Sequence, residues 1–88
     1  MATIIARHQV GDITIWLAGH QERVDTFAPV ATILNEFQDM DNPNSVLLLI
    51  EATDMEKFGA MVNDPANADL KDRHTVIEPI IISLPIGG

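Results

Sequence analysis

Three histidines, His8, His20 and His74, are the side chains of this chain suited to moving a proton near neutral pH, since cysteine is absent. In a dry site, desolvation lowers an imidazole's pKa and keeps the ring neutral. A neutral ring can take a proton from an activated phenol or from carbon beside a carbonyl. Eleven and then fifty-three residues separate the three, which matches no zinc signature. No metal and no cofactor is therefore expected. Asp39-x-Asp41 has the outline of a calcium loop, but Pro43 takes a ligand position, Asn44 that of the glycine and Ile50 that of the bidentate glutamate. It reads as a hairpin turn.

Two of the histidines sit where the pattern asks for an apolar residue. Ile4, Ala6, His8 and Val10 alternate with Ile5, Arg7 and Gln9, the period of a strand with one buried face. Ile13, Trp16, Leu17, His20, Val24 and Phe27 recur at three and four, one stripe of an amphipathic helix over 13–27. If strand and helix pack together, His8 and His20 share a pocket. Each also has a bland role: His8 as a cap where the strand ends, His20 as a core ring bonded to a carbonyl or a carboxylate. His74 closes a short helix, where its ring can meet exposed carbonyls and the negative end of the dipole; the alternative is a third pocket residue. Trp16, Phe27, Phe58 and Met61 read as core that doubles as the wall of a ligand pocket.

The elements that would position these groups follow in order. A strand over 3–10 ends at Gly11, and Asp12 caps the helix that Pro29 terminates. A strand over 32–38 presents Ile33, Asn35 and Phe37 on one face, then turns through Asp39–Asn44 into a strand over 45–52. Thr53 and Glu56 have capping-box spacing and open a helix with Met55, Phe58 and Val62 inward. Asp64-Pro65 restarts a short helix with the stripe Ala66, Leu70, His74, and 77–84 forms the last strand. This βαββαβ order predicts a ferredoxin-like α+β domain over residues 1–88, an antiparallel four-stranded sheet with helices on one face.

Val46, Leu48 and Ile50 point one way from the third strand and Leu47 and Leu49 the other, so both sheet faces are apolar. A sheet with one wet face alternates cleanly, and 47% hydrophobic residues exceed what a chain of 88 needs for its own core. The helix-free face therefore calls for a cover, most simply a second copy, with Arg7 meeting Glu36 or Glu51 across the interface. Thirteen acidic residues against five basic give a net charge of −8, which repels nucleic acid and anionic membranes. With no secretory h-region and no apolar run of roughly 20 residues, a cytoplasmic protein is expected.

His8-Gln9-Val10-Gly11-Asp12, Trp16, Asp41-Asn42-Pro43-Asn44-Ser45-Val46, Glu51, Thr53-Asp54, Asn63-Asp64-Pro65 and Glu78-Pro79, taken in order, resemble the small bacterial relatives of the antibiotic-biosynthesis monooxygenases, the dimeric α+β barrel group. The chain departs from them in lacking an aromatic residue a turn before Trp16, and in carrying Thr75-Val76-Ile77 where a glycine-rich stretch is usual. The resemblance implies two ferredoxin-like chains joined through their sheets, each with a pocket between sheet and helices. It also implies a choice of activities, among them cofactor-independent oxygenation of aromatic compounds and polyketide cyclisation. Fold alone does not choose between them.

Two functional classes follow. One is a cofactor-independent monooxygenase or polyketide-type cyclase, a histidine acting as acid or base on a small apolar or aromatic molecule. The other is a non-catalytic ligand binder or stress-associated structural dimer. The sequence does not decide whether the protein is an enzyme.

Overall fold

The computed structural model describes residues 2–86. Strands β1 (Ala2–Val10), β2 (Ala31–Gln38), β3 (Ser45–Ala52) and β4 (Val76–Ser83) form one antiparallel sheet in the order β2-β3-β1-β4. Helices α1 (Ile13–Ala18) and α2 (His20–Phe27) connect β1 to β2. Helix α3 (Met55–Asn63), a 3₁₀ turn (Pro65–Asn67) and α4 (Ala68–Arg73) connect β3 to β4. This is the ferredoxin-like α+β arrangement, with β1 and β3 central.

The alternation of β1 holds: Ile4, Ala6, His8 and Val10 are buried under the helices. Their partners on β3, paired Ile4 to Ile50, Ala6 to Leu48 and His8 to Val46, complete the floor of the core. Asp12 caps α1 by accepting from the backbone N–H groups of Thr14 and Ile15. Asp64 likewise accepts from Ala66 N–H, with Pro65 opening the 3₁₀ turn.

Four expectations are corrected. The helix over 13–27 is two helices, broken at Gly19, whose N–H turns back to the carbonyls of Trp16 and Leu17. The cap of α3 is Asp54, accepting from Lys57 N–H, while Thr53 donates its hydroxyl to the Val30 carbonyl. In α4 and its 3₁₀ turn, Ala66 is exposed and the inward stripe is Asn67, Leu70, Lys71, His74.

The fourth correction lies in β2. Its pairing with β3 slips between Ile33 and Asn35, a bulge that inserts one residue and turns every later side chain to the other face. Phe37, half exposed opposite Leu47, therefore leaves the helix side, and Glu36 opposite Leu48 enters it. Glu36 is thereby removed from any role with Arg7, which stays on the open face.

That open face carries Ile5, Leu47, Leu49, Phe37, Ile77 and Ile81 around Arg7 and Glu51. No helix among the described residues is long and apolar enough to cross a membrane.

Candidate active site

The break at Gly19 sets the inward line of the two helices as Trp16, Gly19, Arg23, Phe27. Arg23, a residue the hydrophobic pattern passes over, is 4% exposed, whereas the His20 side chain is 50% exposed. Leu17, assigned to the same stripe, also faces outward. The burial expected of His20 is thus overturned: an inward line running through glycine and arginine carries no hydrophobic signal.

A buried guanidinium needs partners for its charge and its five N–H groups, and Arg23 has them. Nε and Nη2 donate to the two Glu36 oxygens at 3.0 and 3.1 Å, a bidentate pair. Nη1 donates to the Trp16 carbonyl and, at 3.1 Å, to His74 Nδ1. The guanidinium carbon stands 3.8 Å from the centre of the Trp16 ring, a cation–π contact. The bulge in β2 and the inward turn of Arg23 are two halves of one arrangement, since without the bulge Glu36 would face the other way.

The network extends on both sides. His20 Nδ1–H donates to Glu36 at 2.6 Å from the solvent side. His74 is 3% exposed; since Nδ1 accepts from Arg23, it is Nε2–H that donates to Glu22, at 2.7 Å. Glu22 also receives both terminal nitrogens of Arg73 at 2.8 and 2.9 Å. Arg73 first, then His74, hold the Glu22 carboxyl down to about 2. His74 ends α4, and the following Thr75 has φ 58°, a costly conformation for a β-branched residue. Its hydroxyl and carbonyl tie it to Gly11 and Asp12, fixing the end of the helix that carries His74.

The His74 ring lies flat against Gly19. A Cβ there would fall 2.6–2.8 Å from three ring atoms, and the ring cannot retreat because both nitrogens are held. Gly19→Ala, ordinarily favourable in a helix, is expected to cost about 1–3 kcal/mol from overpacking. Thermal unfolding followed by circular dichroism checks this, and an unchanged or raised Tm would contradict it.

His8 differs from both other rings. It is 9% exposed, its Nδ1–H donates to the Gln9 carbonyl at 3.0 Å, and its ring makes a T-shaped pair with the Trp16 ring, the centroids 5.9 Å apart. Burial is the main cause that lowers its pKa below 6.5; the Gln9 carbonyl opposes, Arg23 lowers it further and Glu36 raises it. Nε2 makes no hydrogen bond to the described residues. The fully buried polar side-chain atom without a partner among them is Trp16 Nε1, so His8 Nε2 reaches accessible space.

His8 is one of the residues that line a cavity of about 70 Å³ between sheet and helices. Ala6, Leu48, Phe27, Phe58, Met61 and Ile80 make it apolar, and His8, Arg23, Asn67 and Lys71 also reach its wall. Phe27 and Phe58 meet at 5.7 Å. Trp16, His20 and His74 do not line it: Trp16 packs behind His8 and Arg23, and the two histidines belong to the Arg23 network. Among the described residues no three His, Cys, Asp or Glu side chains converge as a metal-binding group. A cleft of about 270 Å³ between α3 and β4 adjoins the cavity through Phe58, Val62, Ile80 and Ile82.

Arg23, Asn67 and Lys71 are absent from the residues the sequence singles out. A signal for the first was present: a lone cation midway along a helix otherwise read as amphipathic, in a chain with five cations in all.

Two solved structures share this architecture. One, an antibiotic biosynthesis monooxygenase, superposes with a TM-score of 0.68 at 17% identity, over 100% of this chain and 99% of the other. The fold is that of the antibiotic biosynthesis monooxygenases. A second structure, a proposed antibiotic biosynthesis monooxygenase from Bacteroides thetaiotaomicron VPI-5482, agrees with a TM-score of 0.65 at 13% identity, covering 98% of this chain and 88% of its own. At such identities the likeness to the monooxygenases extends to the path of the backbone and leaves the side chains of the site to be read by themselves. No family model matches the sequence, and no curated protein matches it.

Proposed function

We propose that this protein binds a small apolar or aromatic molecule in the cavity beside His8 and acts on it as a cofactor-independent monooxygenase or polyketide-type cyclase. The observation that carries this reading is an imidazole whose burial favours the neutral form, with Nδ1 engaged, Nε2 without a hydrogen bond among the described residues, and an apolar cavity beside the ring. Such a nitrogen is a general base. It would take the proton of a phenol or of a carbon beside a carbonyl, leaving an anion. In oxygenation that anion would add to dioxygen to form a peroxide. Its O–O bond then breaks to leave a carbonyl on that carbon and release the other oxygen as water, the substrate supplying the electrons. In cyclisation the anion would attack a carbonyl of the same molecule, whose oxygen takes the proton back as a hydroxyl. Apolar walls keep water from quenching it. Both solved neighbours, by name antibiotic biosynthesis monooxygenases, lend support at the level of fold.

The working form is a homodimer joined through the open sheet faces. Support comes from the exposed Phe37, Ile77 and Ile81 beside Ile5, Leu47 and Leu49. A face of this kind is what an interface of roughly 800 Å² per chain requires, with Arg7 and Glu51 as its polar contacts.

The size of the cavity sets the experiment. An apolar cavity of roughly 150 Å³ takes up benzene, about twice the space available here, so a ring enters only if the adjoining α3–β4 cleft opens with it. Toluene titrated against the protein should shift the NMR methyl signals of Met61 and Ile80 saturably, together with the His8 ring, and spare Met40 at the exposed hairpin. Saturable shifts elsewhere, or none, would leave the second class, a non-catalytic structural dimer, as the reading the small cavity favours.

A further inference from the structure

Of the two cations in the cavity wall, Arg23 is spent: every one of its nitrogens already donates to Glu36, Trp16 or His74. Lys71 is not. Its side chain is 17% exposed, and its nearest carboxylate is the well-exposed Glu78 at 3.8 Å, too far for a hydrogen bond. In a chain with thirteen acidic residues, this ammonium makes no hydrogen bond among the described residues, although it stands on α4 beside an apolar cavity. An ammonium drawn out of water towards apolar surface is costly unless an anion meets it.

Resting on the reading of this cavity as a ligand site, we infer that its ligand is an anion, a small unsaturated or aromatic body carrying a carboxylate or phenolate-type oxygen, and that Lys71 binds that oxygen while His8 faces the apolar part. The cavity suits this division. Phe27, Phe58 and Met61 from α2 and α3 offer only apolar contact, and Asn67, a neutral amide, already gives one N–H to the Met61 carbonyl. Lys71 is left as the cation of the wall with free donors. Glu78 competes for the same ammonium, and its distance and exposure make it a partner an incoming oxyanion can displace.

Benzoate and its neutral near-isostere benzamide test this by calorimetry or NMR titration, with toluene as the charge-free control. The wild-type protein should bind benzoate at least about tenfold more tightly than benzamide, the range of a hydrogen bond to a charged group. Lys71→Met should erase the preference while toluene still binds. Lys71→Arg should keep most of the preference, and Glu78→Gln should tighten benzoate alone. Equal affinities for benzoate and benzamide in the wild-type protein, or a preference that survives Lys71→Met while toluene still binds, would overturn the inference and leave the cavity a neutral-ligand site. Failure of toluene as well would overturn both this inference and the ligand-site reading beneath it.

Discussion

Arg23→Met is expected to destabilise the fold by about 3–5 kcal/mol, the usual cost of removing one partner from a buried ion pair. In a domain of this size that is a fall in Tm on the order of 15 °C or more. Glu36, with 10% of its side chain exposed, would lose its bidentate partner and keep only His20. The Trp16 carbonyl and His74 Nδ1 would lose their donor. Adding Glu36→Leu should recover much of the loss, because the stranded carboxylate goes with it. Recovery should stop short of complete, since the carbonyl and imidazole remain unpaired. Urea or thermal unfolding of the four proteins closes the cycle. If the double variant loses as much as the two single variants added together, the pair does not act as a unit and the network loses its centre.

Leu49→Glu should convert a dimer into a monomer. Leu49 lies on the open sheet face opposite Ile5 and Asn35, and a two-fold interface contains it twice. Removing two apolar side chains and setting two like charges near one another is expected to raise the dissociation constant by about a thousandfold. Sedimentation velocity at micromolar concentration reads the result directly, and circular dichroism confirms that the chain stays folded. A wild-type protein that sediments as a monomer would remove the dimer before the variant is made.

Much of the framework is legible in the residues because it rests on local chemistry. The alternation of Ile4, Ala6, His8 and Val10, the cap at Asp12 and the Asp64-Pro65 restart each follow from rules that act within a few positions. The hairpin through Pro43 does so as well. The interior of the site is less legible, for one reason repeated three times. The residue between Ile33 and Asn35 shifts the face of everything after it in β2, and no hydrophobic pattern marks a bulge. Gly19 gives up its side chain so that the His74 ring can lie there, a contact between residues 55 positions apart. Arg23 is tolerated inside because Glu36, Trp16 and His74 meet it, and those partners come together only in the folded chain. Hydrophobic spacing therefore selects His20, the neighbour of the true inward line. It finds His8 because strand alternation tells inside from outside without reference to any partner.

Depression of the His8 pKa has a definite sign for stability. The unfolded chain binds a proton at about 6.5 that the folded chain accepts only at lower pH. Stability contributed by the neutral ring is therefore present above about 6.5 and is lost as pH falls from there through the lower folded value. Glu22, held down to about 2, contributes stability above its ordinary 4.5 that is lost as pH falls towards 2, so its loss begins at lower pH than that of His8.

The chemistry of the site depends on the state of one ring, and ¹⁵N NMR of the histidines across pH reads it directly. His8 should titrate below 6.5 and, when neutral, carry its proton on Nδ1, with the Nε2 signal moving as toluene fills the cavity. A His8 that titrates at or above 6.5, or whose neutral form carries the proton on Nε2, would contradict the assignment of this nitrogen as the base of the site.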